Sequence, residues 1–117
     1  MAEQLSAQDS KKRLENGTAI LLDVRHKEEV EFTSIKPHIW IELTELPKRF
    51  SELPKNKQII CICRTGSRSN TAADFLERNG YKASNVRGGI FEWSKIDGAL
   101  KKYVYGYEGE KLRVEEI

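Results

Sequence analysis

Apolar residues are arranged along the chain in two rhythms. Ala19, Ile20, Leu21 and Leu22 follow one another without a polar break, as do Ile59 to Cys63 after Gln58. Continuous runs of this length mark strands buried on both faces. Weaker strand character surrounds Ile39, Trp40 and Ile41, and the run Ala83-Ser84-Asn85-Val86 reads as a further short strand. Helical spacing appears in between. Ala72, Phe75 and Leu76 predict a helix through the segment 67–81, with Gly80 as its C-cap and Tyr81 folding back on the last turn. Leu46, Phe50 and Leu53 predict another between Thr44, its N-cap, and Pro54, its stop. A short first helix fits Ser6 to Gly17, with Leu14 as its apolar anchor and Asn16-Gly17 ending it. Residues 25–31 are charged, with Val30 and Phe32 as anchors. A glycine pair, Gly88-Gly89, opens a short helix, and residues 103–117 read as two strands around Glu108-Gly109.

Apolar strands alternating with helices predict an α/β domain with a central, mainly parallel sheet, and such sheets bind ligands at the carboxyl ends of their strands. Asp23 and Cys63 both stand at such ends. The 117 residues suit one domain over 1–117, with 103–117 as a C-terminal hairpin extension. Twenty basic and eighteen acidic residues are dispersed along the chain, and no basic block points to a nucleic-acid partner. The opening residues lack an apolar h-region, and no apolar run approaches the roughly 20 residues that span a bilayer. These features predict a cytoplasmic protein with no membrane partner. The two cysteines, Cys61 and Cys63, are too few and too close for a disulfide framework or a structural zinc site, so any role they have is chemical, and no metal or organic cofactor is expected.

Between the most apolar strand and the clearest helix lie Arg64, Thr65, Gly66, Ser67 and Arg68. A tight connection of this kind aims backbone N–H groups at one point, at a helix N-terminus, and so makes an anion nest. A thiolate on Cys63 would gain from those amides, from the helix dipole and from the guanidinium groups of Arg64 and Arg68. Gly66 suits a turn that needs positive φ or close approach, and neither Thr65 nor Ser67 adds bulk. Cys61, two residues earlier in the apolar run, reads as a core residue. Asp23 and Arg25 are expected to support the loop after the first strand rather than to transfer protons. His26 and His38 fall in polar segments and read as surface residues.

Three separated motifs together resemble a known family: Leu21 to Val30 (LLDVRHKEEV), Cys63 to Ser69 (CRTGSRS) and Val86 to Trp93 (VRGGIFEW). In this order they are similar to the single-domain rhodaneses, thiosulfate sulfurtransferase-like proteins, with the likeness running from about Leu14 to about Leu100. The resemblance implies a three-layer fold with helices on both sides of the sheet. It also implies a ping-pong transfer of sulfane sulfur: Cys63 attacks a small anionic donor such as thiosulfate, sulfite departs, and the Cys63 persulfide passes its sulfur to cyanide or to a thiol, on a small molecule or a protein. The family usually carries a His-Ile-Pro-Gly turn where this chain has Ser34-Ile35-Lys36-Pro37, a change expected to alter a loop beside the site.

Two other readings compete. Phosphatases and arsenate reductases that resemble rhodaneses need Cys-x5-Arg around a tetrahedral oxyanion, whereas Arg68 gives Cys-x4-Arg and Ser69 stands where their arginine falls. A persulfide carrier or partner-binding module with a protein acceptor shares every motif described and differs only in what receives the sulfur. The oligomeric state is not written in these residues.

Overall fold

A computed structural model describes all 117 residues. Five strands form one sheet: β1 (Glu3–Leu5), β2 (Ala19–Asp23), β3 (Ile39–Trp40), β4 (Gln58–Ile62) and β5 (Ala83–Val86). Their order is β1-β5-β4-β2-β3, and every adjacent pair is parallel. The two uninterrupted apolar runs therefore lie at the middle of the sheet, where both faces are covered. Strand β1 was not foreseen. Three residues at a sheet edge, only one of them buried, leave too little pattern to read.

The helices are α1 (Ala7–Glu15), α2 (Lys27–Phe32), α3 (Leu46–Arg49), α4 (Ser67–Arg78) and α5 (Gly89–Trp93). Ser6 caps α1, its hydroxyl accepting the Asp9 N–H at 3.0 Å, and Gly17 follows at φ +79°. The helix expected across 44–53 is broken into a 3-10 turn at Leu43–Glu45, the four-residue α3 and a second 3-10 turn at Phe50–Glu52. Pro47 sits in the first turn of α3, where its missing N–H does no harm and its fixed φ suits a helix start. The apolar spacing still serves the core, since Leu46 and Leu53 are buried and Phe50 packs against them.

Side chains alternate across the strands and so fill two cores. Ile59, Cys61 and Cys63 of the β4 segment face Leu22, Leu46 and the α4 residues Ala72 and Leu76. Ile60 and Ile62 face Leu21, Val86, Ile90 and Trp93 on the other side. Cys61 thus lies directly behind Cys63 on the same face. The last residues form an antiparallel hairpin, β6 (Tyr103–Glu108) and β7 (Lys111–Glu116), that hydrogen-bonds to no strand of the main sheet. It is joined to the rest by Tyr103, buried in the second core, by Val114 packed against that core and by contacts of β7 with α2. No helix is long and apolar enough to cross a membrane.

Candidate active site

Strand β4 ends at Ile62, and Cys63 follows in the turn that leads to α4. Its sulfur accepts three hydrogen bonds: from the Gly66 N–H at 3.1 Å, the Ser69 N–H at 3.3 Å and the Ser69 hydroxyl at 3.2 Å. Gly66 is the N-cap of α4 and Ser69 belongs to its first turn, so both amides are among those left without an intrahelical partner. Gly66 reaches this position at φ +105°, and a Cβ there would come within 3.2 Å of the Gly88 nitrogen. The backbone angle calls for glycine, and the nearby Gly88 nitrogen and Val86 carbonyl leave little room for a side chain.

The opposite wall comes from α5. Ile90 donates its N–H to the Cys63 carbonyl at 2.9 Å, and Phe91 donates to the Arg64 carbonyl at 3.0 Å. These bonds hold the start of the cysteine turn against the first turn of α5. Gly89 permits the approach, because a Cβ on it would stand 2.3 Å from the Cys63 oxygen. The glycine pair of the third motif thus acts on the second motif, across a gap of more than twenty residues.

Ser69 also links the sulfur to β5. Its hydroxyl donates to Asn85 Oδ1 at 2.5 Å, while the Asn85 amide donates to the Gly66 carbonyl and to Gln4. A single hydroxyl proton faces two acceptors, the sulfur and Oδ1. With a thiol on Cys63 it can rest on Asn85, and with a thiolate it can swing to the sulfur. The sequence offers Ser69 only as the residue in place of a phosphatase arginine and Asn85 only as part of a short strand. Their meeting depends on the pairing that sets Asn85 opposite Cys61, which no local pattern announces.

The arginines of the turn do not both face the thiol. Arg68 forks onto the Glu29 carboxylate at 2.7 and 3.0 Å. Arg64 turns outward and donates from Nε to the Tyr103 carbonyl at 2.9 Å. Thr65 and Ser67 are exposed on the rim, without a bond to the sulfur. Asp23 and Arg25 lie fully buried as an ion pair closing at 2.7 Å, and Arg25 donates further to the Thr33 carbonyl and the Tyr103 hydroxyl. This pair ties the end of β2 to α2 and to the hairpin. Of the three guanidinium groups here, two have a carboxylate partner and only Arg64 does not.

Glu29 was hidden in a segment that reads as uniformly charged, yet it is 0 % exposed. It accepts from Arg68, from the His26 N–H at 3.2 Å and from the Tyr103 hydroxyl at 3.0 Å. Burial alone would raise its pKa, but the Arg68 bonds and charge, with His26 and Tyr103, outweigh it and hold the carboxyl below its usual range. Its place three residues beyond the N-cap, His26, is a known carboxylate position, and that is the one available signal. Burial pushes the Cys61 thiol strongly up, which keeps it protonated and inert. No three His, Cys, Asp or Glu side chains gather as a metal site.

The Ser34 to Pro37 loop is not beside the sulfur. Lys36, Pro37 and His38 line a groove of about 410 Å³ with Leu14, Ala19 and Trp93, and no residue of the cysteine turn borders it. Because β3 runs parallel to β2, the chain leading into β3 must start from the amino-terminal side of the sheet.

This geometry agrees with comparisons to known proteins. A model of the rhodanese-like domain matches residues 6–96. A putative sulfurtransferase, YtwF, of Bacillus subtilis is 37% identical over 73 residues, covering 62% of this chain and 71% of its own. A sulfurtransferase of Allochromatium vinosum is 31% identical over 97 residues, covering 81% and 91%. The crystal structure of a rhodanese-related protein from Thermoplasma volcanium superposes with a TM-score of 0.76 at 32% identity, over 81% of this chain and 93% of that one. A parallel five-stranded sheet, a cysteine in the turn from its central strand to a helix, and relatives that carry the sulfurtransferase name agree: the chain belongs to the rhodanese-like domain family.

Proposed function

We propose that this protein transfers sulfane sulfur from an anionic donor such as thiosulfate to a thiophilic acceptor through a persulfide on Cys63. The observation that carries the reading is the set of three donors on one sulfur, two amides and a hydroxyl. Hydrogen bonds to a charged acceptor are the stronger kind, and these are fixed before any reaction starts. In the first half-reaction the Cys63 thiolate attacks the outer sulfur of thiosulfate, the donor's S–S bond breaks with its electron pair, and sulfite leaves. In the second, cyanide or a thiolate attacks the terminal sulfur of the persulfide and the Cys63 thiolate returns. No electrons are gained or lost overall.

The residues divide the work. Gly66 and Ser69 stabilise negative sulfur, Arg64 supplies the uncompensated positive charge that attracts an anion, and Arg68, Glu29, Asp23 and Arg25 fix the turn in place. A phosphatase reading is disfavoured by the same contacts, because Arg68 is held by Glu29 and Ser69 offers a hydroxyl where a sixth-position arginine would be needed. A carrier with a protein acceptor shares the first half-reaction.

Intact-protein mass spectrometry after incubation with thiosulfate tests the proposal. One added sulfur is expected on the wild type and on Cys61→Ser, none on Cys63→Ser, and cyanide should remove it. Absence of the adduct with every sulfane donor, or its appearance on Cys61, would overturn the reading.

A further inference from the structure

We propose that the C-terminal hairpin is a size filter over the Cys63 turn, with Tyr105 setting its width, so that sulfur is exchanged only with groups that present it at a slender, unbranched end. This rests on the reading of Cys63 as the sulfur-carrying residue. The hairpin lies wholly beyond residues 6–96, the part matched by the family model, so it is an addition to the common domain.

Strand period places Tyr103, Tyr105 and Tyr107 on one face of β6, with Val114 opposite Tyr105 and Leu112 opposite Tyr107. The three tyrosines are held differently. Tyr103 is fixed: its carbonyl accepts from Arg64, and its hydroxyl joins Arg25 to Glu29. Tyr105, two residues on, is 37% exposed, and its hydroxyl bonds to no protein group. Its ring is held by stacking alone, 5.1 Å from the Arg68 guanidinium, 5.9 Å from that of Arg64 and edge-on to His26 at 6.4 Å. One ring therefore bridges the cysteine turn and the start of α2, which meet at the carboxyl ends of β4 and β2, the end where such sheets bind ligands.

Two more observations fit a gate. Cys63 is only 1% exposed, and no sizeable cavity opens on its turn. The hairpin forms no strand pairing with the main sheet and is held on it by side chains, Tyr103 and Val114 in the second core and β7 against α2, so a tilt would shift packing without breaking a ladder. The loop arginines stack on its tyrosines, so lifting the hairpin uncovers positive charge together with the sulfur. A small anion gains from that charge and needs little width, whereas a branched or aromatic donor must displace the Tyr105 ring.

Alkylation of Cys63 measures the entrance without requiring sulfur transfer. Wild type, Tyr105→Ala, Tyr105→Trp and Tyr107→Ala are each treated with iodoacetamide and with a fluorescein maleimide, and the Cys63 adduct is followed by fragment mass spectrometry. Tyr105→Ala is expected to speed the maleimide on the order of tenfold, because only the bulky reagent must displace the ring and break its two exposed cation–π contacts, with iodoacetamide changed less than about twofold. Tyr105→Trp should slow the maleimide below wild type, and Tyr107→Ala should leave the ratio as it is. Equal acceleration of both reagents, or an unchanged ratio in both Tyr105 variants, overturns the filter. Loading with thiosulfate and with benzenethiosulfonate separates the two readings. If neither donor adds sulfur while the alkylation ratio moves, the persulfide reading fails and the filter stands; if both load the wild type equally, the filter fails alone.

Discussion

Arg68 and Glu29 are joined by two hydrogen bonds, at 2.7 and 3.0 Å, with the carboxylate fully buried and the guanidinium beneath the ring of Tyr105. The pair fastens the first turn of α4 to α2. It also neutralises one of the two cations that the turn carries, so Arg64 holds the turn's one guanidinium charge without a carboxylate partner.

Removing the carboxylate should cost stability before it changes chemistry. Glu29→Gln leaves a mostly buried guanidinium without its counter-charge, a class of change that costs about 3 kcal/mol or more. Urea unfolding is expected to show a lower midpoint at unchanged slope. A variant as stable as wild type would mean that water already shares the pair.

The same carboxyl sets a pH dependence. The folded-state pKa of Glu29 is depressed, so its contribution to stability is complete above the unfolded value of about 4.3 and is lost as pH falls through the folded one. Glu3 acts in the same direction at the sheet edge, pushed down to about 2 by its hydrogen bonds with Arg13 and then Ser84. Urea midpoints measured from about pH 7 down to about pH 3 should fall with acid, and the fall should be shallower in Glu29→Gln.

Ser69→Ala removes the one side-chain donor on the Cys63 sulfur while keeping the Ser69 amide. A hydrogen bond to a charged acceptor contributes about 1.5 to 3 kcal/mol, so sulfur uptake should slow by roughly tenfold to a hundredfold. Single-turnover loading with thiosulfate measures it. Uptake at the wild-type rate would assign the hydroxyl to Asn85 alone.

Two glycines with positive φ separate packing from strain. A Cβ at Gly89 would press into the Cys63 and Arg64 carbonyls, at 2.3 and 2.6 Å, whereas one at Gly109 meets nothing within 4 Å. Gly89→Ala should therefore cost about 2 to 4 kcal/mol and displace the cysteine turn, with loss of sulfur loading. Gly109→Ala carries only the backbone term of about 1 kcal/mol, and its loading should be normal. Thermal melts and mass spectrometry on both variants make the comparison.

The sequence by itself determined the central strands of the fold and the place of the cysteine turn. Two unbroken apolar runs required central strands, the spacing of Ala72, Phe75 and Leu76 required α4, and a cysteine between strand and helix required a turn whose amides point at one place. These are effects of neighbours in the chain, governed by the periods of strand and helix and by glycine's conformational freedom. Tertiary structure alone decided the electrostatics. That Arg68 meets Glu29, that Arg64 meets Tyr103, that Ser69 meets Asn85 and that Tyr105 of the terminal hairpin stacks on both loop arginines all depend on groups far apart in sequence. A guanidinium can satisfy any nearby carboxylate or carbonyl, so its partner is fixed only once packing has brought one within reach.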